Sequence, residues 1–162
     1  MELYIKKAKL TVLDKYEVTD RKGNIVYDIR GELISTGKRL RINSAAGTEL
    51  ASVYEKRLTT RDRYIIATRD AETEVFRIDT MRKEPEYRAK QLGWTLKGDF
   101  RRMDLKIMDG IYTIAHIKPR AFSFREIQRI DVKDEKNALP AVALYLVSRI
   151  DLSQDPESLY EK

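Results

Sequence analysis

The chain repeats a pattern of apolar and polar positions. Three segments align without gaps at a spacing of 24 residues, beginning Tyr16-Glu17-Val18, Leu40-Arg41-Ile42 and Tyr64-Ile65-Ile66. Each start leads into a polar turn: Asp20–Asn24, Asn43–Thr48 and Arg69–Glu74. A second apolar stretch follows at Ile25–Leu33, Leu50–Tyr54 and Val75–Ile78. Basic connections, Ser35–Arg39 and Thr59–Arg63, separate one unit from the next. The pattern returns after Trp94 with Leu105-Lys106-Ile107, the turn Met108-Asp109-Gly110 and the stretch Ile111–Lys118. A half-unit, Ile130-Asp131-Val132, leads into Lys133–Asn137.

The period within each stretch is two. Ile25, Tyr27, Ile29, Gly31 and Leu33 alternate with Val26, Asp28, Arg30 and Glu32, as in a half-buried strand. Gly23-Asn24 and Asp109-Gly110 supply the turn residues that close hairpins. Short strands at regular spacing predict an antiparallel barrel or sandwich. The segment Asp79–Gly93, which contains Pro85, is the least regular and reads either as a strand with a longer loop or as a helical turn.

From Ala138 the alternation stops. Ala138–Val147, extended by Ile150, is apolar around the whole circumference of a helix, and such a helix is buried on every side. Asn137 is the expected N-cap, and Pro140 falls in the first turn, where its missing N–H costs little. A helix over 138–150 would be about 20 Å long, roughly the height of a barrel of six-residue strands. The barrel axis is its natural home. A buried strand of a sandwich is the alternative, disfavoured by the alanines and leucines and by the length. About 20 apolar residues are needed to span a bilayer, so the run is too short to cross one.

The repeated hairpins, Gly98-Asp99-Phe100 before the fourth unit and the apolar helix ending in Ile150-Asp151 resemble the LURP-one-related proteins over roughly Leu3–Leu152. That family is similar in fold to the C-terminal domain of tubby proteins and to phospholipid scramblases. The resemblance implies a mainly β fold: a closed antiparallel barrel of about twelve strands around a central C-terminal hydrophobic helix. The expected organisation is one tubby-like barrel domain over 1–152 and a polar C-terminal tail over 153–162. Tubby domains bind phosphoinositides through basic residues, but no position here matches those residues, so none is carried over.

Composition narrows the chemistry. There is no cysteine and a single histidine, His116, within the alternation of a strand. A thiol–histidine pair, a thiolate metal site and a histidine metal cluster are thereby excluded. No G-x-S-x-G elbow supports a serine triad, and the Gly37-Lys38 pair lacks the upstream glycine of a phosphate loop. Asp99 and Asp104 are near one another around Phe100, yet acidic residues flanking a strand are usually solvated. The expectation is a protein that is not an enzyme and uses no cofactor or metal. The tyrosines Tyr16, Tyr27, Tyr54 and Tyr64 occupy positions suited to core packing, so no base-stacking stripe and no specific nucleic-acid signal emerges.

The charged fraction is 36% and the formal net charge is +6, which favours anionic partners. In an up-and-down meander the turns inside each unit fall at one end of the barrel and the connections between units at the other. Counted over the flanking residues, the turn end carries five basic and seven acidic residues, the connection end ten basic and three acidic. Candidate ligand-binding residues of this basic rim are Lys38, Arg39, Arg61, Arg63, Lys118, Arg120 and Arg125, with Phe122 and Phe124 as candidate anchors. The expected function is a binding or scaffold module for anionic phospholipid head groups or another polyanion. A protein–protein interaction module is the alternative, and a small enzyme of unrecognised type the third. The absence of cysteine and of a leader-like N-terminus suits a cytoplasmic protein, peripheral to the membrane if lipid is the partner.

Overall fold

The computed structural model describes residues 1–8, 13–35, 37–56, 63–81, 84–120 and 127–154. Twelve strands follow one another: β1 (Glu2–Lys7), β2 (Lys15–Thr19), β3 (Ile25–Ile34), β4 (Gly37–Ser44), β5 (Glu49–Lys56) and β6 (Arg63–Thr68) form the first half. The second half is β7 (Glu72–Asp79), β8 (Pro85–Ala89), β9 (Trp94–Asp99), β10 (Asp104–Asp109), β11 (Tyr112–Pro119) and β12 (Ile127–Val132). A single 3-10 turn, Glu135–Asn137, then leads into helix α1 (Ala138–Gln154). Every strand pairs antiparallel with its sequence neighbours, and β12 closes on β1 through Leu3↔Ile130 and Ile5↔Gln128. Closure leaves no free strand edge.

The period-two pattern becomes the barrel's two surfaces. Tyr16, Leu40 and Tyr64, the equivalent starts of the 24-residue repeat, all point inward and are buried. Tyr27 is also buried, whereas Tyr54 faces outward and is half-buried, contrary to the core position expected of it. The irregular stretch before Trp94 resolves into β8, whose Pro85 sits at the first position of the strand, where a missing N–H is tolerated. Asp20 organises the first hairpin, its carboxylate accepting from the backbone N–H of Lys22 (2.8 Å) and Asn24 (2.9 Å), while Gly23 takes a φ of 86°.

Helix α1 fills the axis, and its apolar residues from Ala141 to Val147 are buried around the full circumference. It enters from the turn end. The expected N-cap, Asn137, is instead the last residue of the 3-10 turn, and Asp134 caps that turn by accepting from the Lys136 N–H. The helix also runs four residues beyond Ile150 to Gln154, because Asp151 finds hydrogen-bond donors on the barrel wall. Among the described residues no helix is long and apolar enough to cross a membrane.

Candidate anion-binding site

With the axis occupied, a concavity lies outside the barrel at the connection end. Its floor is fixed by the tight link between β9 and β10. The Asp99 carboxylate accepts from the backbone N–H of Arg101 (3.0 Å) and Arg102 (3.1 Å). Phe100 turns inward and packs edge-on against Tyr87, with ring centroids 5.7 Å apart. Gly98, at a φ of 137°, lets β10 approach: a Cβ there would strike the backbone of Asp104 and Leu105. This link sets the register Lys97↔Lys106 and Asp99↔Asp104. Leu96, Leu105 and Ile107 are buried inside, so Lys97 and Lys106 both point outward, directly opposite each other.

Opposite like charges on adjacent strands are destabilising. Neither lysine has an ion pair or hydrogen bond among the described residues, although carboxylates lie close by. Together with Thr80, Met81, Glu84, Pro85, Glu86 and the Gly98-Asp99 and Asp104 positions, they line a cleft of about 810 Å³. Glu84 accepts from the Phe100 N–H (3.5 Å), and its carbonyl accepts from the Thr80 hydroxyl (2.8 Å). Asp104 lies 2.6 Å from His116 Nε2, and that hydrogen bond, aided by the charges of Lys106 and Lys118, holds its carboxyl below the usual carboxylate range. His116 is thus an outer-wall residue tied to a carboxylate. Among the described residues no acidic or histidine side chains gather in a group suited to a metal ion.

The described residues of the basic rim do not gather in one patch. Lys38 and Arg39 begin β4 and Arg63 begins β6, while Lys118 and Arg120 lie at the end of β11. In the closed strand order β11 stands five places from β4 in one direction and five from β6 in the other, across the barrel. Most of these cations already have partners: Lys38 with Asp14 (3.1 Å), Arg39 with Glu32 (3.6 Å) and Glu49 (3.7 Å), Arg63 with Glu74 (3.2 Å), and Lys118 with Asp131 (3.9 Å). The Arg120 guanidinium stacks over the Tyr4 ring at 5.0 Å. Arg61, Arg125, Phe122 and Phe124 lie outside the described residues. Among the described residues, the joining segments carry three basic and two acidic residues at the connection end, and six and four at the turn end. Several residues first assigned to the ends lie within strands, and most other charged residues of the connection end lie outside the described residues.

A second polar cluster at the same end is buried. The Asp151 carboxylate accepts from the hydroxyls of Tyr64 (2.7 Å) and Tyr87 (2.5 Å) and from Arg77 Nη1 (2.9 Å). Burial and the neighbouring carboxylate push the Tyr87 hydroxyl far up, so it stays a donor. Burial alone would disfavour charge on Arg77, but Asp79 and Asp151 outweigh it and hold the guanidinium protonated. None of these groups lines the cleft. The sequence pointed to Asp99, Asp104 and Asp151 but not to the lysine pair beside the first two or to the partners of the third. The signals were the one acid of the axial helix, and two lysines at matching outward positions around Gly98-Asp99.

A family model described as LURP-one-related matches residues 1–148. The chain is 23% identical over 158 residues to the uncharacterized protein YxjI of Bacillus subtilis, covering 97% of each. Its fold matches the X-ray structure of the Arabidopsis thaliana protein AT5G01750 with a TM-score of 0.64 at 11% identity, over 93% of this chain and 91% of the other.

Proposed function

The chain belongs to the LURP-one-related family, and we propose that its barrel is a non-enzymatic binding module that docks peripherally on an anionic lipid surface with the β8–β11 side of its connection end. The observation that carries this reading is the opposed pair Lys97 and Lys106, held side by side on the outer wall with no ion pair or hydrogen bond to either among the described residues. Arg88 on β8, Lys118 on β11 and the exposed Arg101 and Arg102 add positive charge to the same wall. Basic residues near an anionic membrane contribute about 1 kcal/mol each, and the attraction weakens as salt screens it. Flotation with vesicles tests the reading. Recovery should be greater with anionic than with neutral vesicles, fall with salt, and fall on Lys97→Ala/Lys106→Ala but not on Arg63→Ala, whose cation is already paired. Equal recovery with neutral and anionic vesicles at low salt would end it.

A protein partner is the second reading. The outer wall of β5–β7 favours it, where Tyr54 stands opposite Ile65 and Phe76 opposite Arg63 and Arg88. Aromatic and arginine side chains of this kind are enriched at interfaces. Tyr54→Asp should then abolish capture of the partner without affecting vesicle binding.

A further inference from the structure

We propose that the cleft binds a phosphate ester that carries an ammonium group, the pattern of an aminoalkyl phosphate head. This inference rests on the binding-module reading and names the ligand of the cleft on that face.

The charges of the cleft divide into those already satisfied and those left over. Asp99 is taken by two backbone N–H groups, Asp104 by His116 and Glu84 by the Phe100 N–H. Lys97, Lys106 and Glu86 remain without a hydrogen bond or ion pair among the described residues, and all three line the cleft. Two cations and one carboxylate without hydrogen-bond partners therefore line the cleft, beside three carboxylates that already accept hydrogen bonds.

The register explains how one ligand meets all three. Lys97 and Lys106 are direct cross-strand partners, with Cβ atoms roughly 5 Å apart, so both ammonium groups reach the oxygens of one phosphate. The β8–β9 ladder ends at Tyr87↔Leu96, so Glu86 and Lys97 lie just beyond it and line the cleft from the two strands. A phosphate on the lysine pair thus leaves Glu86, lining the same cleft, to accept from an ammonium carried by the same ligand. Phosphate alone leaves Glu86 facing an anion, and an ammonium alone faces two lysines. The molecule that joins them should bind more tightly than either part. A free aminoalkyl phosphate and the head group of an aminophospholipid share this chemistry.

The experiment is a titration of the full chain, followed by amide chemical shifts, with O-phosphoethanolamine, inorganic phosphate and ethanolamine. O-phosphoethanolamine should shift resonances of β8, β9 and β10 and bind at least about tenfold more tightly than phosphate, with no response to ethanolamine. Glu86→Gln should erase the preference over phosphate while keeping phosphate binding, and Lys97→Ala/Lys106→Ala should lose both. Equal affinity for phosphate and O-phosphoethanolamine, or an unchanged preference in Glu86→Gln, would overturn the proposal. A parallel flotation arm compares neutral vesicles with and without phosphatidylethanolamine. Extra recovery with that lipid, lost in Lys97→Ala/Lys106→Ala, supports the site and assigns it a lipid head group. Soluble binding without extra recovery supports the site and assigns it a free ligand. Anionic vesicles recovered by a chain that ignores O-phosphoethanolamine would overturn the site while leaving the membrane reading standing.

Discussion

Arg77 Nη1 stands 2.9 Å from Asp151 Oδ2, tying the barrel wall to the last turns of the axial helix across 74 residues of sequence. The contact addresses a difficulty inherent in the fold. A helix apolar on every side has no preferred face, so hydrophobic burial drives it into the barrel without choosing its rotation or depth. A carboxylate near the helix C-terminus is also disfavoured by the macrodipole. Asp151 is accommodated only where Tyr64, Tyr87 and Arg77 converge, and that requirement specifies one rotation and one depth.

Removing the carboxylate should therefore be costly. Asp151→Ala leaves the part-buried Arg77 with only its exposed ion pair to Asp79 and takes an acceptor from each of two buried hydroxyls. Breaking such a pair from one side costs about 3 kcal/mol. Tyr64→Phe and Tyr87→Phe should each cost roughly 1.5–2 kcal/mol, the worth of a hydrogen bond to a charged group. Urea unfolding measures all three. An Asp151→Ala loss below about 1 kcal/mol would show that the apolar faces alone position the helix.

Gly98 and Gly23 both hold positive φ, yet alanine should affect them differently. At Gly98 the new Cβ meets the Asp104 backbone and lies 2.9 Å from Leu105 Cα, neither of which can yield without disturbing β10. At Gly23 nothing lies within 4 Å, and only the backbone conformation opposes the change. Gly23→Ala should cost about 1 kcal/mol, and Gly98→Ala more than about 2 kcal/mol. Equal thermal shifts in the two variants would remove the close approach of β9 and β10 as the reason for glycine at position 98.

The barrel was legible in the sequence because its determinants are local and repeated. Alternation marks the strands, Gly23-Asn24 and Asp109-Gly110 mark turns, and the change of period at Ala138 marks the helix. The site was not, because it depends on which strands face each other around a closed circle. Sequence order groups Lys38, Arg63 and Lys118 at one end, but only closure shows that β11 lies across the barrel from β4 and β6. Cross-strand register likewise places Lys118 opposite Arg129, with Asp131 on the diagonal as its ion-pair partner, whereas Lys97 faces Lys106 with no ion pair among the described residues. A composition count cannot separate paired cations from unpaired ones.

Asp14 should make the barrel sensitive to acid. Burial by itself would raise its pKa, but hydrogen bonds and charge from Lys38 and Lys7 together hold the carboxyl below its usual range. A carboxylate lowered in the folded state stabilises it above the unfolded value near 4, and the contribution fades as pH falls through the lower folded value. Asp14→Asn should therefore be less stable than the parent at pH 6, and the difference should narrow between about pH 4 and pH 2. Thermal midpoints across that range provide the comparison. A gap that stays constant down to pH 2 would assign the effect to packing.

The final prediction concerns the stability cost of the lysine pair itself. Directly opposed like charges destabilise a sheet, and an opposite pair in the same geometry contributes roughly 0.2–1 kcal/mol. Lys97→Glu replaces repulsion with attraction to Lys106 and should stabilise the free protein by about 0.5–1 kcal/mol, while vesicle recovery falls. Lys97→Ala should stabilise by less and bind as poorly. A pair kept for packing alone behaves in the opposite way, because removing either aliphatic stem from the wall would then lower stability. Unfolding midpoints of both variants at low salt, repeated at about 1 M salt where screening shrinks the Coulomb part, separate the two accounts. A Lys97→Glu protein less stable than its parent at low salt would mean that the lysines do not repel, and the case for an absent anion would lose its energetic basis.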